Sequence, residues 1–532
     1  MNHLHLPDQK HSVLSRRSLL RSAAFLAGGA LLLPTRLLGA SPVAGYFRDY
    51  PFKLGVASGD PLSDGFVIWT RLAPYPTEID YGMDPEPVLV SWEVAEQENM
   101  NRVILSGTAI ASPAMGHSVH VDLRGLRPGR EYFYRFRAGD YESRIGRGIT
   151  APVVGSPLDE FRFAFVSCQH YERGYYPAYR DLVEQDPRLV VFLGDYMYEN
   201  NPNRFNVRRH EGPEPVTLAQ YRARYASYKL DAHLQAAHAH TSWAFTWDDH
   251  EVDNNYANDQ SQDLDDPEVF LRRRAAAYQA YYESMPLRSS ARPQGPALHL
   301  YQRLSFGNLL DFNILDNRQY RSDHPCDYDG GGPVVDPQLC SELDDPARTM
   351  LGETQHRWLA NNLRSSRARW NVIAQQTLFA QFNRGRNGQT LYSTDGWGGY
   401  PAARDRLVRD IANSGATNPV FIGGDVHANW VTDIKEDWRN PLSRTVATEF
   451  VGTSVTSGGG DMAEYDLTLP QNPHIKFIET RERGYNLCTV TANQWRTEHR
   501  SCPDDGILDP DTRLTTTRSF VIENGRPGAV LE

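Results

Sequence analysis

The sequence has few cysteines, no internal repeat and no long low-complexity tract, and its basic residues are fewer than its acidic ones. Its 532 residues include five cysteines, 55 Lys and Arg, and 66 Asp and Glu, for a formal net charge of -11. This balance argues against nucleic-acid binding, whose affinity comes from Lys and Arg neutralising phosphates. With 40 % apolar residues and a mean hydropathy of -0.55, the composition excludes disordered, collagen and multi-span membrane classes. Because one core rarely exceeds about 300 residues, the length predicts a large domain and at least one smaller one.

The first 40 residues have the pattern of an export signal. The paired Arg16 and Arg17 precede a weakly apolar run at 22–33 and a small-residue end at Ala40. This pattern predicts a twin-arginine (Tat) signal peptide over residues 1–40, and therefore the Tat export machinery as a partner and a periplasmic or extracellular location. A membrane span needs about 20 strongly apolar residues, so we expect no stable span in the mature form. Tat carries folded proteins, often with a metal already inserted.

Disulfides are permitted in an oxidising compartment, and four of the cysteines lie in two similarly spaced pairs. Cys326 and Cys340 are 14 positions apart around a glycine-rich loop, and Cys488 and Cys502 are 14 apart across a predicted hairpin. We expect both pairs to form disulfides. Cys168 is then left over, either as a buried free thiol or as a residue with a chemical role.

Residues 45–151 are predicted to form a small all-β domain. Alternating apolar residues and turn signals predict strands at 66–70, 88–94, 120–123 and 132–136. The loop and strand at 126–134 resemble those of fibronectin type III-like modules. Residues 151–157 have the composition of a linker.

Residues 158–532 are predicted to form an α/β domain, because strands alternate with helices. The predicted strands are 161–166, 189–193, 309–315, 370–374 and 419–423, and the clearest helices are 177–185 and 353–367. The polar segment 258–297, with an Arg- and Ala-rich helix, has the pattern of an insertion between core elements.

Metal-ligand and phosphate-binding residue types follow nearly every predicted strand of this domain. They lie in the segments 167–169, 194–199, 247–251, 316–321, 375–376 and 423–429. Ligands bind at the carboxyl ends of strands in open α/β folds, so we expect these side chains to meet. They offer a thiolate, a phenol, an imidazole and several carboxylates. The phenolate and carboxylates suit a hard trivalent ion, and the remaining oxygens suit a second, harder divalent ion. Two metals about 3.5 to 4 Å apart clamp a phosphoryl oxygen and lower the pKa of a bound water. The pattern predicts dinuclear hydrolysis.

Five segments form a distinctive combination: 52–61, 69–72, 278–288, 424–427 and, the most distinctive, Trp247-Asp248-Asp249-His250-Glu251-Val252-Asp253-Asn254-Asn255. They resemble the PhoD-like alkaline phosphatase and phosphodiesterase family of the calcineurin-like metallophosphoesterase superfamily. The resemblance covers essentially the whole mature chain. It implies a metallophosphoesterase β-sandwich flanked by helices and preceded by a small fibronectin- or immunoglobulin-like all-β domain.

The resemblance implies an iron site. Cys168 stands where superfamily members begin an Asp-x-His motif, and would be a thiolate ligand to ferric iron (Fe3+). Asp195 matches the bridging carboxylate, and Tyr198 matches the iron-binding tyrosine also seen in purple acid phosphatases. His427 is the better iron candidate of the last motif.

The resemblance also implies a second metal, calcium (Ca2+), with one or two ions. Asp249 stands at the usual metal-binding Asn position, with Asp248 beside it, and Asp425 is the better ligand of this second metal. Glu251 and Asn255 are weaker candidates. Gln375 or Gln376 stands where many relatives have a histidine, which favours calcium over zinc.

In the implied reaction, a metal-bound hydroxide attacks phosphorus, His250 assists departure of the alcohol, and Arg318 grips a phosphate oxygen. A structural ion-pair role is the alternative for Arg318. The expected activity is an exported alkaline phosphatase acting on small phosphate esters. The alternatives are a phosphodiesterase or phospholipase D-like enzyme and, more remotely, a non-catalytic envelope binding protein.

Overall fold

The computed structural model describes residues 47–201, 207–330 and 332–532, and the predicted signal peptide at 1–40 lies outside these residues. The strands, in chain order, are β1 (Val56–Leu62), β2 (Gly65–Arg71), β3 (Val88–Ala95), β4 (Val103–Ala111), β5 (Ser118–Asp122), β6 (Glu131–Ala138), β7 (Tyr141–Glu142), β8 (Gly146–Ile149), β9 (Glu160–Val166), β10 (Leu189–Phe192), β11 (Ser242–Phe245), β12 (Gln302–Phe306), β13 (Leu310–Ile314), β14 (Val334–Val335), β15 (Trp370–Ala374), β16 (Tyr392–Ser393), β17 (Pro419–Gly423), β18 (Asn429–Lys435), β19 (Thr445–Val451), β20 (Ile475–Glu479), β21 (Glu482–Thr491), β22 (Gln494–Pro503), β23 (Thr515–Glu523) and β24 (Arg526–Leu531).

Several of the helices have local start or stop signals. They are α1 (Pro177–Gln185), α2 (Leu218–Lys229), α3 (Ala232–His240), α4 (Pro267–Ser284), α5 (Gly352–Ser365), α6 (Pro401–Ser414) and α7 (Met462–Thr468). Helix α2 starts with a capping box between Thr217 and Gln220, and α4 starts at Pro267 behind an Asp266 cap. Helix α6 ends at Gly415 in the left-handed conformation. None of the helices in the described part of the chain has the length and apolarity that crossing a membrane requires.

Two large sheets pack face to face. The first has ten strands in the order β24-β23-β22-β21-β9-β10-β11-β1-β2-β5, and the second has seven in the order β12-β13-β15-β17-β19-β18-β20. Aromatic side chains fill the space between them, and the rings of Phe163 on β9 and Phe312 on β13 lie 5.0 Å apart, edge to face.

Helices cover the outer faces of this sandwich. On β10, Leu189 and Val191 join the core between the sheets, while Val190 and Phe192 join a second core that includes α1 to α4. A third core packs α5 and α6 on the seven-stranded sheet. Such burial on both faces explains why β10 is an uninterrupted apolar run. The predicted fold class, an α/β β-sandwich flanked by helices, is confirmed.

The N-terminal strands divide between two sheets. Strand β1 pairs in parallel with β11, and it brings β2 and β5 into the ten-stranded sheet. The remaining strands β3, β4, β6, β7 and β8 form a separate small sheet. All four strands predicted between residues 66 and 136 are present. The boundaries at 45–151 and 158–532 stay predictions.

The two predicted disulfides have different outcomes. The Cys326–Cys340 disulfide is present, with a Cα–Cα distance of 6.0 Å. The Cys488–Cys502 prediction is wrong, since both thiols are free and buried. Cys488 lies opposite Thr497 on the hairpin of β21 and β22, whereas Cys502 lies opposite Arg483.

The position of the hairpin turn explains this error. The turn lies at Ala492 and Asn493, so Cys488 and Cys502 are offset along the ladder by five residues, or about 17 Å at the usual rise. An odd offset also places their side chains on opposite faces. Cys488 packs between the two sheets, and Cys502 packs in the core beneath α1.

Candidate metal centre

The predicted ligands follow the strands in an unusual backbone conformation. Cys168 and Asp195 lie two and three residues after the ends of β9 and β10, and Asp425 and His427 follow β17. All four have positive φ, at 59°, 59°, 64° and 53°. Non-glycine residues rarely adopt this left-handed region, and such strain concentrates at functional sites. The sharp turns bring side chains from separate strands together at one edge of the sandwich.

The first cluster contains a thiol, a carboxylate and an imidazole. Ligand atoms of Cys168, Asp195 and His427 all lie within 4.8 Å of one another. The Tyr198 hydroxyl is 2.8 Å from Asp195 Oδ2 and 3.2 Å from His427 Nε2. Ser457 Oγ lies 2.6 Å from the same hydroxyl. The structure therefore assembles all four residues predicted for the iron site.

The second cluster is made of carboxylates, and one of them, Asp249, also belongs to a third cluster. Asp248, Asp249 and Asp425 offer oxygens within 4.8 Å of one another, and Asp249 also forms a group with Asp195 and His250. Asp195 belongs to both the thiol cluster and this last group. Two neighbouring sites bridged by one carboxylate are the arrangement that a dinuclear centre requires.

Electrostatics show that these clusters fit bound cations. Asp195 Oδ1 and Asp248 Oδ2 are buried and lack a hydrogen-bond partner among the described residues. Burial raises the pKa of Asp195, Asp248 and Asp425 well above the usual range. Burial likewise raises the pKa of the Cys168 thiol. Unpartnered buried carboxylates are costly, and a cation would satisfy them.

Arg318 lies among the carboxylates and is fully buried. Its Nε contacts Asp248, and its Nη1 donates to Asp395 Oδ1 at 2.6 Å. Its Nη2 is 3.4 Å from Asp425 Oδ1 and 3.7 Å from Asp249 Oδ1. Although burial opposes the charged form, these carboxylates raise the pKa of Arg318 well above its usual value. The guanidinium thus neutralises part of the acidic cluster.

His250 is held by a glutamate that the sequence did not single out. Its Nδ1 is 2.6 Å from Glu199 Oε2, and Glu199 Oε1 accepts the backbone N–H of Asn254 at 2.9 Å. Burial alone would lower the pKa of His250, but Glu199, Asp195 and Asp249 raise it well above 6.5. These charges favour the protonated imidazole, the form that can donate a proton.

The two weaker candidate ligands make different contacts. The Glu251 carboxylate accepts the backbone N–H groups of Asp195 at 3.1 Å, Tyr196 at 2.6 Å and Asp248 at 2.9 Å. It therefore ties together the loops after β10 and β11. Asn255 donates its backbone N–H to Asp249 Oδ2 at 2.7 Å. Glu251 belongs to none of the three clusters that His, Cys, Asp and Glu side chains form among the described residues.

Asp395, which contacts Arg318, carries no signal in the sequence that marks it as a site residue. Its carboxylate also accepts from Arg321 Nη2 at 3.0 Å and lies 3.3 Å from His324 Nε2. Burial would raise its pKa, but Arg318 and Arg321 hold it well below its usual value. Asp395 follows the two-residue strand β16, and so short a strand has no apolar run to mark it.

The side chains of Gln375 and Gln376 make structural contacts. Gln376 Nε2 donates to Thr246 Oγ1 at 2.7 Å and to the carbonyl oxygen of Trp247 at 2.7 Å. Gln375 Oε1 accepts from the Asn317 side chain at 2.9 Å. Both are buried and connect the loops that follow three different strands.

The helix-flanked sandwich and its clustered ligands define a metallophosphoesterase-type α/β protein. The sequence model of the PhoD-like phosphatase family matches residues 163–499, and that of the PhoD-like phosphatase N-terminal domain matches residues 39–152. Alkaline phosphatase D of Bacillus subtilis (strain 168) is 45 % identical over 530 residues, covering 98 % of this chain and 89 % of that protein. A solved structure of PhoD aligns with a TM-score of 0.87 and 46 % identity, covering 91 % of this chain and 92 % of that one. The chain belongs to the PhoD-like phosphatase family, which confirms the predicted family and the predicted class, a phosphoric ester hydrolase.

Proposed function

We propose that this protein is an exported alkaline phosphatase that hydrolyses phosphate esters with a dinuclear or trinuclear iron and calcium centre. One observation carries the proposal: Asp195 belongs to two groups of possible ligands. The first also contains Cys168 and His427, and the second also contains Asp249 and His250. A bridging carboxylate with an unpartnered buried oxygen supports two adjacent cations. The twin-arginine pattern at residues 1–40 supports export.

The chemistry of the donor sets supports the choice of ions. Cys168, Tyr198 and His427 offer a thiolate, a phenolate and an imidazole around Asp195, which suits Fe3+ better than a hard divalent ion. Asp248, Asp249 and Asp425 offer oxygen alone, which suits Ca2+. We propose these seven residues as the ligands, with Glu251 and Asn255 as weaker candidates.

Bound cations supply two effects: they lower the pKa of a water molecule, which makes it a nucleophile, and they polarise the phosphoryl oxygens. The side chains of the protein would donate the proton and bind the phosphate. His250, held by Glu199 at 2.6 Å, donates a proton to the departing alcohol oxygen. Arg318 binds a phosphate oxygen by exchanging one of its carboxylate contacts, the longest being 3.7 Å to Asp249.

Turnover of p-nitrophenyl phosphate beside bis-p-nitrophenyl phosphate, by protein loaded with Fe3+ and Ca2+, tests the proposal. We expect faster hydrolysis of the monoester. Equal or faster hydrolysis of the diester would assign a phosphodiesterase or phospholipase D-like activity instead. Hydrolysis of neither ester would favour the envelope binding protein.

A further inference from the structure

A small aromatic recess opens beside the candidate metal centre. Its cavity volume is about 90 Å³, and the carboxylates of Asp395 and Asp425 line it. The aromatic side chains of Phe382, Trp430 and Tyr465 also line it. Because Asp425 also belongs to the carboxylate cluster, the recess borders the candidate metal centre. A group attached to a phosphate bound at the cluster would therefore lie next to the recess.

The three rings form a fixed wall. The Phe382 ring lies 5.0 Å from that of Trp430, and the Trp430 ring lies 5.5 Å from that of Tyr465, both edge to face. Phe382 and Tyr465 are 5.9 Å apart and stacked. Trp430, on β18, is buried, whereas Phe382 and Tyr465 are half-buried and keep part of their surface open. Edge-to-face packing of this kind is stabilising and holds the rings in place.

The wall is tied to the ligand loops by hydrogen bonds. Asn383 donates its backbone N–H to Asn472 Oδ1 at 2.9 Å, which joins the loop of Phe382 to the turn after α7. Helix α7 carries Tyr465, and the segment before it includes Gly458, whose carbonyl oxygen lies 3.1 Å from His427 Nδ1. The rings are thus positioned with respect to a predicted metal ligand before any ester binds.

We propose that this recess is the subsite for the alcohol part of the ester, and that it selects esters whose alcohol carries a flat aromatic ring. The inference rests on the proposed function. A cavity of about 150 Å³ encloses a benzene molecule, so a recess of about 90 Å³ admits part of one ring. Phe382 and Tyr465 offer ring surface for stacking, and the exposed Arg384 guanidinium, which also lines the recess, can stack on the same ring.

The test compares kcat/KM for phenyl phosphate and for glycerol phosphate, using the full chain loaded with Fe3+ and Ca2+. Phe382→Leu and Tyr465→Leu keep an apolar side chain but remove the ring. We expect each to lower the ratio of phenyl phosphate to glycerol phosphate about five- to tenfold. The matched control is Tyr141→Leu, from an aromatic cluster with Phe47 and Tyr50, which should keep the wild-type ratio.

The possible outcomes separate a failure of the subsite from a failure of the proposed function. A wild-type ratio in both recess variants, with melting temperatures like that of the wild type, would overturn the subsite and leave the proposed function standing. A lower ratio accompanied by turnover of glycerol phosphate supports the subsite. Wild-type protein that hydrolyses neither ester would overturn the proposed function and the subsite together.

Discussion

The Tyr198 hydroxyl donates a 2.8 Å hydrogen bond to Asp195 Oδ2, three residues earlier in the chain. The same hydroxyl is 3.2 Å from His427 Nε2. Burial, and the negative charges of Asp195 and Cys168, raise the pKa of Tyr198 well above its usual value. These surroundings favour the protonated phenol, and a cation bound between Tyr198 and Asp195 would favour the phenolate instead.

A Tyr198→Phe variant should lose iron and activity together. A tyrosinate bound to ferric iron absorbs visible light, so loaded wild-type protein should be coloured and the variant should not. We expect activity to fall at least about tenfold, since even changes beyond the direct ligands commonly cost that much. Metal analysis and a visible spectrum measure both effects.

Tyr225→Phe is the matched control, because the buried Tyr225 hydroxyl has no hydrogen-bond partner among the described residues. It should keep its colour, iron content and activity. A colourless wild-type protein that is fully active without iron would contradict the proposed site.

A His250→Ala variant should lose the most activity on esters that have poor leaving groups. If the imidazole held by Glu199 protonates the departing oxygen, its loss should lower kcat about 100-fold or more for an alkyl phosphate. The loss should be much smaller for p-nitrophenyl phosphate, whose leaving group needs little protonation. The exposed His299 provides the control, His299→Ala. Equal losses on both esters would exclude a general-acid role.

Thiol counting should find three free cysteines. Denatured, unreduced protein should react with iodoacetamide at Cys168, Cys488 and Cys502, and reduction should add two more sites. Mass spectrometry reads both numbers directly. A single reactive thiol before reduction would show that Cys488 and Cys502 form a disulfide after all.

Removal of the remaining disulfide by Cys326→Ser with Cys340→Ser should lower the free energy of unfolding by about 3 kcal/mol, the usual entropic effect for a loop of this size. Chemical denaturation measures it. An unchanged unfolding midpoint would show that the disulfide does not stabilise the protein.

Stability should fall as the pH drops from 6.5 towards 4 because of His120. Burial lowers its pKa to about 4, although the carbonyl oxygens of Met285 and Tyr282, at 3.0 and 2.9 Å, oppose that shift. The unfolded chain binds a proton at higher pH than the native state does, so acid favours unfolding by at most about 3 kcal/mol. Thermal unfolding of His120→Gln between pH 4 and 7 should show a weaker pH dependence. His299→Gln should behave like the wild type, and a His120→Gln profile identical to the wild type would refute this account.

Periodicity and strand ends predicted much of this molecule from the sequence. Alternation and apolar runs located strands such as β3, β9 and β10; residues in β10 face two different cores and must therefore all be apolar. Cys168, Asp195 and Asp425 were found because each follows the carboxyl end of a predicted strand, β9 and β10 in one sheet and β17 in the facing sheet. Family motifs added the expected roles, which still await experiment.

The partners of these residues depended on the tertiary structure. The turn at Ala492 and Asn493 sets the ladder register and separates Cys488 from Cys502, a shift that spacing alone does not reveal. Asp395 reaches Arg318 from a loop 77 residues further along the chain. Local sequence encodes the elements through short-range sterics and periodic burial. Contacts between loops depend on how whole sheets pack, and this packing decides which carboxylates surround Arg318.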